Sequence, residues 1–448
     1  MQRSIFRYLS LCAVTLGVPL SLASCNEIDG TAGSARMFDN PDIVTMGFEG
    51  CQNLECRQVA CRDNKKTTLT GRVKIPAGTL PIPGAYVYVP NNDLATIVTG
   101  PSCERCETLV SGNPVAKTQT NLDGEFVLDN VPTGEHVPLV IQVGKWRRQI
   151  DIANVTGCTS AAVDEDKTRL PRISSEGNIP KMALTTGQKD QLECLIRKLG
   201  IVDSEVTTDA GNGRVHLYAG NGGTTAFSTF YGGATLTSAN NLWADSTKLN
   251  SYDVFVGSCE GQGLTPTGKT PQMVTNIYNY VNNGGRVFAS HFHNYWLAQN
   301  TNWSSLVNIS VRADLGDVTS TINTGFSRAA QLADWLMLPS VGGSRVRGQL
   351  DVKVAQNSIL SVDPAKVDTW ITVPAAQNVQ YMTFDAPITA PSTQKCGRFV
   401  LSDIHVAAGD MSGVPYPNGC ITTALSAQEI ALIYLLFDLT TCIDPAVD

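Results

Sequence analysis

The chain has few charges and few histidines for its 448 residues. Asp, Glu, Lys and Arg together make up 16%, below the roughly 25% of an average soluble domain, and only five histidines occur. There is no run of basic residues and no basic–aromatic stripe, and the net charge is −7, which disfavours nucleic acid and anionic lipid headgroups as partners. Beyond residue 20 no apolar run approaches the roughly 18 residues a membrane-spanning helix needs. The longest, Ile430–Leu436, is short and contains Tyr434. No internal repeat is present. Cys103-Glu104-Arg105-Cys106 has neither a second CxxC nor a paired histidine nearby, so the four-ligand zinc arrangement is missing and a structural disulfide is the expectation.

What is present begins at the N-terminus. Arg3 and Arg7 precede the apolar segment Leu9–Leu20, and Leu22-Ala23-Ser24-Cys25 follows. A positive region, an apolar region and small residues before a cut site make a secretory signal peptide, and Cys25 directly after Leu-Ala-Ser resembles the lipobox of bacterial lipoproteins. That resemblance implies cleavage before Cys25, lipidation of Cys25, and a cell-envelope location held through the membrane anchor, the outer membrane being the expected side. Each buried acyl methylene would contribute roughly 0.8 kcal/mol to that anchor. Loss of Arg3 and Arg7, with no acidic residue in 1–24, moves the net charge from −7 to −9.

Thirteen cysteines are many. Cys12 leaves with the signal peptide and Cys25 is taken by lipid. Outside the cytosol the others are expected to form disulfides. Cys51, Cys56, Cys61, Cys103, Cys106 and Cys158 precede residue 160, and Cys194, Cys259, Cys396, Cys420 and Cys442 follow it. The odd set leaves one thiol over unless a bond crosses between domains. Cys396 and Cys420 bracket His405 and are expected to pair. Cys194 has Cys259 or Cys442 as its expected partner.

The chain divides into a signal peptide over 1–24, a tether and Cys-rich lead-in over 25–66, a β-rich domain over 67–158, a linker over 159–180, and an α/β domain over 181–442. Leu69–Val73, Gly84–Val89, Glu125–Leu128 and Pro138–Val143 are short alternating segments separated by Gly, Pro and Asn, the pattern of a β-sandwich. Thr120-Asn121-Leu122-Asp123-Gly124-Glu125-Phe126, followed by Asn130-Val131-Pro132-Thr133-Gly134, resembles the carboxypeptidase regulatory-like domain, a small transthyretin-like sandwich that accompanies a peptidase. The HxxE zinc motif of the peptidase itself does not occur.

Further on, helical and extended patterns alternate. Leu192, Leu195, Ile196 and Leu199 recur at helical spacing. Val215–Tyr218, Asp253–Gly257 and Arg286–Ser290 read as strands. Pro271 opens a helix that Gly284-Gly285 stops. Arg398–Leu401 is a last strand, and Ser426 with Glu429 makes a capping box before a final helix. Residues 340–390 are strand-rich and either insert into the sheet or extend it. Strand–helix–strand units imply a parallel sheet. Tyr252–Val256 and Gly284–Phe288 resemble the class I glutamine amidotransferase-like fold, shared with trehalose-utilisation-type proteins, which implies a flavodoxin-like architecture. Where those amidotransferases carry a cysteine on a tight elbow, this chain has Ser290-His291-Phe292. Cys259 lies one strand earlier, and His405 falls near the family's catalytic histidine. Over its whole length, with Val137–Arg148, Gly285–His293 and Cys396–Val406, the chain resembles a group of bacterial envelope lipoproteins of uncharacterised role that join these two modules.

In open parallel sheets ligands bind beyond the carboxyl ends of strands. Three such ends carry Ser258-Cys259-Glu260, His291-Phe292-His293 and Asp403-Ile404-His405. Cys259, Glu260, His291, His293, Asp403 and His405 are therefore the candidate functional residues, with convergence of the three histidines on one cleft expected. His291 and His293, two apart, share a face if the strand continues through them, and with His405 they suit a divalent metal such as zinc; the alternative is a hydrogen-bonded cluster that braces loops. Cys259 is either a nucleophile with a histidine base or half of a disulfide. The leading expectation is a non-catalytic ligand- or partner-binding envelope protein needing no cofactor, with another envelope protein or a carbohydrate as partner. The rival is a hydrolase using the three histidines with a metal or Cys259.

Overall fold

The structure is a computed structural model that describes residues 40–262, 268–406 and 409–443. The signal segment, Cys12 and the lipidation candidate Cys25 lie outside the described residues. From Asp42 onward the chain forms one compact unit.

Seven strands make two sheets in the first part. They are β1 (Thr68–Arg72), β2 (Tyr86–Pro90), β3 (Pro114–Gln119), β4 (Glu125–Asp129), β5 (Gly134–Val143), β6 (Trp146–Val155) and β7 (Ser160–Ala162). One sheet has the order β4-β1-β7 and the other β3-β2-β5-β6. Alternation dictates which side chains turn inward: in β4, Phe126 and Leu128 are buried while Glu125 and Val127 are exposed. Leu69, Phe126 and Leu128 of one sheet and Val87, Val89, Leu139 and Ile141 of the other belong to a single apolar cluster, the inner layer of a sandwich. Residues 159–180 hold β7, which pairs with β1, a helical turn at Glu165–Thr168, and buried Leu170 and Ile179.

The second part is a mixed sheet of eleven strands. Its main strands are β8 (Met182–Thr185), β9 (Val215–Ala219), β10 (Val254–Gly257), β11 (Arg286–Ser290), β12 (Gly316–Ile322), β13 (Gln349–Ala355), β14 (Asp368–Val373), β15 (Asn378–Ala386) and β16 (Gly397–Ser402). The run β9-β8-β10-β11-β16 is parallel throughout. Numbered in chain order this is 2-1-3-4-5, the doubly wound order whose topological switch falls between the first and third strands. β15, β14, β12 and β13 continue the sheet antiparallel beyond β16. The strand-rich stretch after residue 340 thus extends the sheet at its edge.

Alternate side chains serve the two faces. Leu184, Val256, Phe288 and Val400 join the cluster that contains the sandwich core, helix α1 (Leu192–Lys198), helix α3 (Ser327–Leu336) and helix α4 (Ala427–Thr440). Phe255, Val287, Phe399 and Leu401 pack on the opposite face with helix α2 (Pro271–Asn282). α2 starts where Pro271 follows an N-cap Thr270 whose side chain accepts from the Met273 amide. α4 starts at the Ser426/Glu429 capping box.

The sandwich adheres to the α/β part through one apolar cluster and through a long excursion between β2 and β3. Trp146 is buried with its ring 5.6 Å from that of Phe437. Lys145 Nζ donates to Asp253 Oδ1 at 2.7 Å and to the carbonyl of Gly100 at 2.6 Å. The excursion delivers Cys103 to Cys396 and Cys106 to Cys442. Cys51–Cys56, Cys61–Cys158 and Cys194–Cys420 complete the pairs, and Cys259 is the free cysteine among the described residues. The expected Cys396–Cys420 bond is corrected here, as is a Cys103–Cys106 bond. Cys396 lies just before β16 and Cys420 lies beyond its far end, so a strand of about 20 Å separates them. Cys103 and Cys106 each pair across domains, which leaves one thiol in the second set.

Candidate functional site

The exits of β8, β10, β11 and β16 build the site. At the β10 exit Cys259 is fully buried, and its Sγ lies 3.6 Å from His291 Nδ1, at the β11 exit. The His291 and His405 rings are 5.4 Å apart. One ligand atom each from Cys259, His291 and His405 lies within 4.8 Å of the others, so these three can hold a metal ion. His405 Nε2 is buried without a hydrogen-bond partner among the described residues.

His291 occupies the turn from β11 into a short 3₁₀ helix with φ of +37°, a backbone region that costs a non-glycine residue energy. The turn is tight because the strand stops at Ser290 and the helix begins at once. That break also decides His293. Its ring does not stay on the His291 side: it packs against Trp243, Phe255 and Trp296 on the α2 face. Trp296 Nε1 donates to its Nδ1 at 2.8 Å, so the proton sits on Nε2, which donates to the Ser258 carbonyl at 3.0 Å. Both nitrogens are used. Burial pulls the His293 pKa down to about 4. Gly257 leaves room for this ring, since a Cβ there would come within 2.9 Å of it.

Asp403 and Glu260 are braces. Asp403 is fully buried and accepts from the Ser358 amide and hydroxyl, each at 2.7 Å, and from the Ile359 amide at 3.2 Å. It thereby ties the β16 exit to the segment that follows β13. Glu260 accepts from the Asn221 amide at 2.9 Å and pairs closely with Lys269. Burial works to raise its pKa, but the neighbouring His293, the Lys269 ammonium and the hydrogen bonds from Lys269 and the Asn221 amide outweigh it and hold the carboxyl below its ordinary value.

Electrostatics keep the centre neutral. Burial pushes the Cys259 thiol up to about 12. Burial lowers His291 against the opposing pull of Asp403 and Asp314. His405 falls well below its ordinary value through burial and the nearby His291 and Lys189. Behind the centre, Asp190 is fully buried. It accepts from Ser290 Oγ at 2.5 Å and from the Val406 amide at 2.8 Å, and burial raises it to about 7. The residue thus bridges the β8, β11 and β16 exits.

A cleft of about 440 Å³ opens over this centre, lined by His291 and His405 together with Lys189, Arg312, Asp314 and Lys353. Cys259 lies beneath the two imidazoles and does not line it. Lys189 and Arg312 form no ion pair among the described residues, whereas Lys353 pairs with Asp317 at 2.7 Å. Inspection of the sequence missed these rim residues. Thr186–Asp190 follows β8, a strand whose apolar stretch is too short to stand out, and Arg312 and Lys353 come from the extension. The remaining histidines are elsewhere: His136 is exposed beside Asp151, and His216 bonds Tyr252.

No protein-family model and no curated protein matches the chain. Among solved structures it is similar to SMU.1228c, at 9% identity over 58% of this chain and 99% of that one, with a TM-score of 0.31. It is also similar to a ThuA-like protein from Parabacteroides merdae, at 11% identity over 58% of this chain and 90% of that one, with a TM-score of 0.28.

Proposed function

We propose that this is a lipid-anchored envelope protein whose carboxypeptidase regulatory-like sandwich carries an amidotransferase-like domain that binds a small polar ligand and does not hydrolyse glutamine. The observation that carries the reading is the position of Cys259. A nucleophile must meet its substrate, and this thiol is sealed under His291 and His405 while the elbow holds an imidazole. A thiol held protonated by burial is also a poor nucleophile. The lipobox at Cys25 supports the anchor, and the turn Asn121–Phe126 supports the sandwich family. Lys189 and Arg312 at the rim favour a ligand with an anionic group.

The test uses the full-length protein in detergent. Incubation with L-glutamine is expected to release no ammonia. A panel of small carboxylates and acidic sugars is expected to contain a compound that raises the thermal midpoint, an effect lost in His405→Trp, which fills the cleft. Ammonia release that disappears in Cys259→Ala overturns the reading, as does a panel in which every midpoint shift survives His405→Trp.

A further inference from the structure

We infer that Cys259, His291 and His405 form a site for one zinc-class divalent ion, with its fourth position facing the cleft. The inference rests on reading that cleft as the functional site and adds the ion to it. Three observations lead to it.

First, the donor set is chemically matched. One thiol and two imidazoles are the soft and borderline ligands that zinc selects. Second, the spacing is close to what a tetrahedral ion imposes. Bonds of about 2.3 Å to sulfur and about 2.0–2.1 Å to nitrogen, opened to the tetrahedral angle, set sulfur and nitrogen about 3.5 Å apart. Cys259 Sγ and His291 Nδ1 are 3.6 Å apart. One ligand atom from each of the three residues lies within 4.8 Å of the others. Third, His405 is only 9% exposed, and its Nε2 is a buried polar atom with no hydrogen-bond partner among the described residues. Buried polar atoms are seldom left unsatisfied, and an ion between the rings would satisfy this one.

Three protein ligands and a cleft on the remaining side describe an open site, unlike the closed four-ligand arrangement of a structural zinc. His291 and His405 both line the cleft, so the vacant position takes water or the anionic group of a ligand held at the Lys189 and Arg312 rim. When the ion binds, the Cys259 S–H bond breaks, its proton passes to solvent, and the sulfur–metal bond forms. His293 stays outside the set because both its nitrogens are committed to Trp296 and Ser258.

The experiment is a Co(II) titration of chelator-treated full-length protein, read by absorbance. The expected result is one equivalent bound, with intense tetrahedral ligand-field bands and a near-ultraviolet sulfur-to-cobalt band. Cys259→Ser is expected to abolish the near-ultraviolet band. His291→Gln and His405→Gln should each weaken binding by about tenfold or more, and His136→Gln, on the sandwich surface, should leave it unchanged. Zinc-edge X-ray absorption on the wild-type protein is expected to show one sulfur and two imidazole nitrogens, which keeps the test decisive if a variant fails to fold. A wild-type protein that takes up no cobalt, or a zinc shell without sulfur, overturns the site and leaves the trio as an S–H···N contact. Loss of the metal site with the His405→Trp ligand effect intact would leave the binding reading standing.

Discussion

Glu193 in α1 offers a quantitative test of how the helix is buried. It is 4% exposed, and its Oε2 has no hydrogen-bond partner among the described residues. Burial raises its pKa to about 8, the neighbouring carboxyls of Asp190 and Asp410 add to the rise, and a local backbone bond opposes it. In the unfolded chain the carboxyl releases its proton near its ordinary value of 4.5. Between pH 4.5 and 8 the native state therefore binds one proton more than the unfolded state, so stability falls as pH rises across that window and levels off above it. Each pH unit costs the native state about 1.4 kcal/mol, about 5 kcal/mol across the whole window. Glu193→Gln keeps the shape and removes the proton. Urea unfolding with disulfides intact, run every half unit from pH 4.5 to 8.5, should give a flatter profile for the variant. The two proteins should be similar at pH 4.5, and the variant more stable by several kcal/mol at pH 8. Parallel profiles would refute the buried neutral carboxyl and the packing of α1 that imposes it.

Arg398→Met removes both bonds to Asp385 (2.7 and 3.0 Å) from a fully buried pair. It should cost about 3–5 kcal/mol in chemical unfolding; a cost under 1 kcal/mol would contradict the burial of the pair. Gly257→Ala brings a Cβ to 2.9 Å from the His293 ring and should lower stability by about 1–3 kcal/mol, visible as a drop in thermal midpoint. Non-reducing peptide mapping should recover Cys103 with Cys396 and Cys106 with Cys442, and Cys259 should resist alkylation until denaturant is added; a Cys103–Cys106 peptide would refute the cross-domain staple. Cys25→Ala should release the protein from membranes or leave it unprocessed, and continued membrane fractionation after normal cleavage would rule out the anchor.

Local rules made much of the α/β part readable. Pro271 at a helix start and Gly284-Gly285 after its end set α2, because proline suits the first turn and glycine ends it. The Ser426/Glu429 box set the start of α4 for the same kind of reason. Arg286–Ser290 was legible as a strand because its middle, Val287-Phe288-Ala289, is the continuous apolar run expected of a strand buried on both faces. β3 and β6 were not legible. Pro114–Gln119 opens on a proline and ends in the polar run Lys117-Thr118-Gln119, and the ten-residue strand Trp146–Val155 opens with two adjacent, half-buried arginines, Arg147 and Arg148, that break the apolar–polar alternation.

The sequence by itself determined which residue types stand at the strand exits, and hence that Cys259, His291 and His405 are available for one site. Period-two and period-3.6 patterns are properties of neighbouring residues, so they survive without the fold. Only the tertiary structure decided what those residues do. It broke β11 at Ser290 and so turned His293 away from His291, a consequence of one backbone step that no spacing reports. It placed Cys103 at the start of β16 and Cys420 at its far side, because disulfide choice depends on distances through space over hundreds of residues. Depth, too, is collective: Cys259 is sealed and Asp403 spent on Ser358 because whole layers pack over them.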